Sequence, residues 1–368
     1  MRIGIPKEVK SYEKRVGATP EMVHALVEAG HIVLVQEEAG LGSGFPDATY
    51  KSAGAVIVAD AADIWGCEMV VKVKEPESSE YEYLREGLIL FCYLHLAANA
   101  HLTQKLVEKK VVAIAFETVT EGRRLPLLVP MSQIAGRLSI QVGAMALQVP
   151  QGGKGILLGG VSGVPPAKVA ILGGGVVGTE AARMAMGCGA DVTILDRDLK
   201  RLEELDMLFG PYLKTLFSTT MAIEQVVMES DLVIGAVLIP GGKAPSLVTK
   251  EMVKNMSPGS AIVDVAIDQG GCVETSQVTT HGEPTFIIDG VVHYCVANMP
   301  GACARTGTLA LGHATLHYVL RVANKGFRVA LNEDQGFRNG LNTCNGHVTN
   351  EYVAFDLGYE FYPSTQVL

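Results

Sequence analysis

Residues 168–196, KVAILGGGVVGTEAARMAMGCGADVTILD, constrain the fold more than any other stretch of the chain. An aliphatic run, Lys168–Leu172, enters a turn in which Gly173, Gly175 and Gly178 fit G-x-G-x-x-G. A helical pattern follows from Val176 to about Gly187, then a second apolar run, Val192–Leu195, ending on Asp196. The first glycine permits the tight turn, the second lets backbone approach a pyrophosphate, and the third lets helix pack on strand. The helix N-terminus then offers unpaired N–H groups and partial positive charge to phosphates. Asp196 stands eighteen residues beyond Gly178, near the spacing of a carboxylate that accepts from a ribose hydroxyl. A bare glycine triplet would be consistent with a simple turn; the complete strand–turn–helix–strand–Asp unit points to dinucleotide binding.

The 368 residues are enough for two domains, and 48% hydrophobic against 19% charged residues fits a well-buried globular protein. A net charge of -9 gives no reason to expect nucleic acid or an anionic membrane surface as partner. Mean hydropathy is positive, but each long apolar stretch is interrupted, as 155–178 is by glycines, Pro165, Pro166 and Lys168. No segment supplies the roughly 18 uninterrupted apolar residues of a spanning helix. The start, MRIGIPKEVK, lacks the apolar core of a signal peptide. The expectation is a soluble, cytoplasmic protein. Seven scattered cysteines form no C-x-x-C pair and mostly sit in apolar runs, as small buried hydrophobes do. With no HExxH and no Walker-type loop, no metal is expected.

Short apolar runs alternate with helical patterns along the first 125 residues: Arg2–Ile5, Glu21–Ala29, Ile32–Gln36, Met69–Lys72, a polar helix near Ser79–Glu86, Leu88–Tyr93, Asn99–Lys109 and Val111–Phe116. Strands of the same kind are predicted at 168–172, 191–195, 213–217, 232–237, 261–265 and 285–288. Such alternation implies βαβ units and mainly parallel sheets. Two long helical patterns, 130–148 and 304–323, lie at the joins, the glycine-rich segment 151–166 reads as a hairpin or loop, and the tail 332–362 reads as two short helices. The predicted fold is α/β, with two doubly wound domains. A Rossmann domain over 129–303 is inserted into a discontinuous, flavodoxin-like substrate domain made of 1–128 and 304–368, with a cleft between them.

In open α/β sheets ligands bind beyond the carboxyl ends of the strands. Arg15 follows the first strand, Lys74 follows MVVKV, His95 follows LILFCY, Asp268 follows AIVDVAI and Asn298 follows VVHYCVA. Each has a plainer alternative: a solvated lysine, a core-edge histidine, a surface arginine in KSYEKR, a turn aspartate before Gln-Gly-Gly. Ser132 reads as a helix N-cap, or as a hydroxyl meeting a phosphate. The conjunction at the ends of several strands favours a site.

The chain resembles the NAD-dependent alanine dehydrogenases from end to end. The resemblance rests on MRIGIPKE with Arg15, VKVKEP, YLHLAA, FETV followed by LPLLVPMS, GGGVVG, DLVIGAVLIPG, VDVAIDQGG and YCVANMPGA. It implies that Arg15 and Lys74 hold the substrate, that His95 and Asp268 are the acid–base pair, and that Tyr93 and Met131 line the small pocket. It further implies a nucleotide site of Ser132, Gly173, Gly175, Val177, Gly178, Asp196, Arg201, Ser218, Val237, Leu238, Ile267, Asp268, Asn298 and Met299. L-alanine, pyruvate and ammonium are the implied reactants, NAD the cofactor and a homo-hexamer the assembly, with 130–148 and 304–323 as interface elements. Asp196 favours NAD, whereas Arg197, Lys200 and Arg201 in the same loop leave NADP open. The chain departs from the family at Gly17, at MSQ over 131–133, and at Gly307 and Gly312, which are expected to loosen their helix by up to about 1 kcal/mol each. Two rivals remain: a transhydrogenase-type subunit passing hydride between dinucleotides, and a non-catalytic dinucleotide sensor.

Overall fold

The computed structural model describes residues 1–237 and 244–368. Its strands are β1 (Arg2–Ile5), β2 (Ile32–Gln36), β3 (Val56–Val58), β4 (Met69–Val71), β5 (Ile89–Cys92), β6 (Val112–Ala115), β7 (Lys168–Leu172) and β8 (Asp191–Asp196). They continue with β9 (Leu213–Phe217), β10 (Leu232–Gly235), β11 (Ala261–Asp264), β12 (Thr285–Ile288), β13 (Val291–Tyr294), β14 (Leu341–Cys344) and β15 (His347–Val348). The chain packs into two compact units, Met1–Met131 with Cys303–Leu368, and Ser132–Ala302.

In the first unit the sheet order is β15-β14-β6-β5-β4-β1-β2-β3. All neighbours from β6 to β3 run parallel, and β14 and β15 add antiparallel. The six parallel strands follow the doubly wound order 3-2-1-4-5-6, and only without the three-residue edge strand β3 do they reduce to the flavodoxin order expected from the sequence. The crossover falls between β1 and β4, so the loops after these two strands diverge around a crevice. β4, β5 and β6 are buried along their whole length, as strands covered on both faces are. Leu88, Leu90, Cys92, Leu102, Leu106 and Val111 share one core cluster with Val353 and Ala354 of the tail.

The second unit has the order β12-β13-β11-β10-β7-β8-β9, parallel except for β12 against β13. Its switch point lies between β7 and β10. A 3-10 turn, Val149–Gln151, leads into the segment 151–166, which holds a bridge from Val161 to Val164.

Three expectations change. The tail is not only helical, because Leu341–Cys344 pairs with β6. The polar helix near 79–86 is a 3-10 turn, Ser78–Tyr83. Ser132 is not an N-cap: the helix runs Val129–Ala146, which makes Ser132 its fourth residue. Pro130 explains the earlier start, since proline is pre-shaped for a first helical turn and needs no N–H partner there. The helix Ala304–Lys325 runs unbroken through Gly307 and Gly312. A Cβ on Gly312 would come 3.0 Å from Thr19 Cγ2, so this glycine brings the helix close to the cap of Pro20–Glu28. Gly17 is similarly tight: a Cβ there would lie 2.3 Å from the Val71 carbonyl oxygen.

Candidate active site

In the first unit the loops after β1, β4 and β5 carry Arg15, Lys74, Tyr93 and His95, and the start of the helix Val129–Ala146 carries Met131. Arg15 is 2% exposed. Its Nε and Nη2 donate to the two Glu13 oxygens at 2.7 and 2.5 Å, and Nη1 lies 2.8 Å from Met131 Sδ. Burial alone would lower the Arg15 pKa, but the Glu13 contacts outweigh it and raise the value, so the guanidinium stays charged. Tyr93 is buried; its hydroxyl donates to the Leu127 carbonyl at 2.6 Å, and burial pushes its pKa well above the ordinary phenol value. The Tyr93 ring stacks near-parallel on His95, with centroids 6.1 Å apart. Lys74 stands one residue beyond Val73, whose carbonyl accepts from the Tyr93 N–H at 3.0 Å.

His95 is exposed and sits in the left-handed region, with φ 48° and ψ 41°. That backbone costs a non-glycine residue on the order of 1–2 kcal/mol. Glu117 offsets it: its Oε1 accepts from the His95 N–H at 2.7 Å, and both of its oxygens accept from Leu94 N–H at 3.2 Å.

The glycine turn of the second unit meets the demands of a dinucleotide. Gly173 has φ 105°, and a Cβ on Gly178 would stand 1.8 Å from the Gly173 carbonyl oxygen. A Cβ on Gly175 would meet nothing within 4 Å, so the space ahead of the helix Val176–Gly187 is open. That helix has no side-chain cap, which leaves its first N–H groups for an anion. Asp196 ends β8 and holds the turn: Oδ2 accepts from Gly174 N–H at 2.6 Å and Oδ1 from Asp198 N–H at 2.9 Å. Arg201 closes the other side, donating to the Gly174 carbonyl, Thr179 Oγ1 and Glu204. Val177 packs under the long helix, where a Cβ on Gly136 would be 2.3 Å from its carbonyl oxygen. The Ser218 N–H donates to the Asp196 carbonyl at 2.9 Å. Val237 ends the described stretch after β10; Leu238 lies outside the described residues.

Asp268 and Asn298 also meet in this unit. Asp268 is exposed on the turn Val265–Gln269, and its Oδ1 accepts from Asn298 N–H at 3.1 Å. Asn298 takes φ 59°. Ile267 and Met299, their neighbours in the chain, are buried. Asp264, fully buried at the end of β11, anchors the loop by accepting from the N–H groups of Ala266, Cys272 and Val273 and from Ser276 Oγ. Burial raises its pKa despite these bonds. Among the described residues no group of His, Cys, Asp or Glu gathers as a metal site, and no helix is long and apolar enough to cross a membrane.

Residues 4–135 match the family description "Alanine dehydrogenase/PNT, N-terminal domain" and residues 139–351 match "Alanine dehydrogenase/PNT, C-terminal domain". The chain belongs to the alanine dehydrogenase/PNT family. Within it, the chain is 59% identical to an alanine dehydrogenase of Bacillus subtilis, over 100% of this chain and 98% of the relative. It is also 59% identical to alanine dehydrogenase 2 of Staphylococcus aureus, over 98% of both. A solved L-alanine dehydrogenase superposes with a TM-score of 0.94 at 53% identity, covering 97% of this chain and 99% of that one. A transhydrogenase from Sinorhizobium meliloti superposes at 0.83 with 26% identity, over 95% and 100%.

Glu13, Glu117, Glu8 and Glu80 did not stand out in the sequence. Glu117 lies in FETV and Glu8 ends MRIGIPKE, two of the motifs that carry the family resemblance, and those motifs were the available signal.

Proposed function

We propose that this member of the alanine dehydrogenase/PNT family is an NAD-dependent L-alanine dehydrogenase. It converts L-alanine, NAD+ and water reversibly into pyruvate, ammonium, NADH and a proton. One observation carries the reading: Arg15, Tyr93, His95 and Met131 are linked side by side in one unit, with Lys74 on the adjoining strand end. Relatives named alanine dehydrogenase, aligned end to end, support it.

The dinucleotide, when bound, supplies the two-electron chemistry at the substrate Cα. This chain's residues do the rest. Arg15, held charged by Glu13, binds the substrate carboxylate and orients Cα. Lys74 holds the carbonyl side of the substrate and keeps positive charge beside the oxygen that develops at that carbon. His95 takes the proton of the water adding to that carbon and returns it as ammonia leaves. Asp268 orients the water or the ammonia. Tyr93 and Met131 bound the space for the methyl group; a pocket that discriminates one methylene by only about 1–3 kcal/mol admits slightly larger amino acids as slow substrates.

On the nucleotide side, Gly173, Gly175, Val177 and Gly178 form the pyrophosphate cradle and Asp196 accepts from the ribose hydroxyls. Ser132, Arg201, Ser218, Val237, Ile267, Asn298 and Met299 line the remainder, with Leu238 beside them in sequence. NAD rather than NADP, a cytoplasmic location and a homo-hexamer complete the reading, as the family resemblance implies.

The test is NADH oxidation by the purified protein. Oxidation that requires both pyruvate and ammonium supports the reading. Hydride exchange between two dinucleotides without either, or NADH binding without turnover, would replace it with a transhydrogenase-type subunit or a sensor.

A further inference from the structure

Beyond β4 the chain runs through Lys72, Val73, Lys74, Glu75, Pro76 and Glu77 before the turn Ser78–Tyr83. Lys72 is wholly buried. Its Nζ donates to both Glu80 oxygens, at 2.9 and 2.6 Å, lies 3.7 Å from Glu8 Oε2, and stands 5.7 Å from the centroid of the Trp65 ring. The two carboxylates reach the main chain on either side of Lys74. Glu8 Oε1 accepts from the N–H groups of Val73 at 2.6 Å and Lys74 at 3.4 Å. Glu80 Oε2 accepts from Glu77 N–H at 2.9 Å, within a reciprocal capping box between Glu77 and Glu80. A separate ion pair, Lys10 to Glu75, ties the segment that carries Glu8 to the residue after Lys74.

A buried ionic cluster is a poor source of stability, because desolvation of its charges offsets their attraction. An apolar plug of equal volume would fill the space beneath Trp65 more cheaply. It would leave the N–H groups of Val73 and Glu77 without acceptors, and nothing would hold this irregular segment in one conformation. What the cluster adds is position. We infer that Glu8, Lys72 and Glu80 form a buried clamp that fixes the main chain around Lys74 and so aims its ammonium at the substrate. The three are positioning residues. The inference rests on the proposed role of Lys74 as a substrate ligand.

Glu80→Gln and Glu8→Gln are each made alone and in combination with Lys74→Ala. Steady-state kinetics with pyruvate and ammonium, NADH binding by fluorescence and thermal unfolding are then measured. Each Gln variant should raise the KM for pyruvate about tenfold or more with a smaller change in kcat, as small misplacements of a substrate ligand do. NADH binding should be unchanged. In combination with Lys74→Ala, neither should add a further loss, because the clamp acts through the side chain already removed. If Lys74→Ala alone leaves kcat/KM unchanged, the role of Lys74 fails and the clamp has nothing to aim. If Lys74→Ala disables the enzyme while both Gln variants match the parent, or their losses multiply with that of Lys74→Ala, the clamp fails and Lys74 keeps its role. Should loss of charge unfold the protein, Glu80→Asp keeps the partner of Lys72 while withdrawing the oxygen from Glu77 N–H, and carries the same expectations.

Discussion

His95 shows how one side chain is prepared by its surroundings. Its ring lies on Tyr93, its backbone is held left-handed by Glu117, and it remains open to solvent. A general base contributes about 10²–10⁴ in rate. His95→Ala should therefore lower turnover at least about a hundredfold while NADH still binds; near-normal turnover would remove His95 from the reaction. Asp196 works through charge. In the proposed reading its carboxylate repels a 2′-phosphate, with Arg201 turned toward Gly174 and Glu204. Asp196→Ala should raise the kcat/KM for NADPH relative to NADH, and an unchanged ratio would show that the carboxylate does not choose the cofactor. Lys74, His95 and Arg15 were legible because each follows a predicted strand in the chain. Their partners were not. Glu13 sits in KSYEKR and Glu80 in a polar run, and charged residues in such runs are nearly always solvated. Their burial depends on contacts that the linear pattern does not contain, such as Lys72 beneath Trp65.

At the scale of elements, the turn between β7 and its helix is set by glycines with separate duties. The Gly178 position is closed by contact with the Gly173 carbonyl at a hypothetical 1.8 Å. Gly178→Ala should force the helix away from the strand, weakening NADH binding in fluorescence titrations and lowering the Tm; a variant that binds NADH normally would refute the packing argument. The same physics explains which strands could be read. β4, β5, β6, β10 and β11 are buried along their length and so appear as plain apolar runs. β14, Leu341–Cys344, hides because two of its four residues are polar and buried. The Asn342 amide donates to Thr118 Oγ1 at 2.8 Å and Thr343 Oγ1 to the Val111 carbonyl at 2.9 Å. Its pairing with β6 compensates for a weak pattern. β3 is only three residues at an edge, too short to show a period. Ser132 reads as a cap by residue type, but Pro130 already lies in the opening turn of the helix Val129–Ala146, so the chain is helical before it reaches the serine.

Across the whole molecule, the amino-terminal unit carries the residues proposed for substrate and the second unit the dinucleotide cradle, each at the switch point of its own sheet. The buried cluster of the first unit also bears on stability. Two carboxylates share one ammonium, and Lys72 bonds to Glu80, so Glu8 is the group with excess charge. Desolvation pushes Glu8 up to about 7 from 4.5, against the pull of Lys72. Between these values the folded state binds more protons than the unfolded chain, so stability falls as pH rises through that window, by about 3 kcal/mol in total. Glu8→Gln lacks this slope. The stability of the parent relative to the variant should fall between about pH 4.5 and 7 in denaturation curves; parallel pH profiles would show that Glu8 is ionised throughout.

The central claim is that hydrogen passes directly from the Cα of L-alanine to a nicotinamide bound by this chain. L-Alanine deuterated at Cα should give NADH that carries the deuterium, with a slower rate if that transfer limits turnover. NADH that contains only solvent hydrogen, or no reduction of NAD+ by alanine at all, would contradict it.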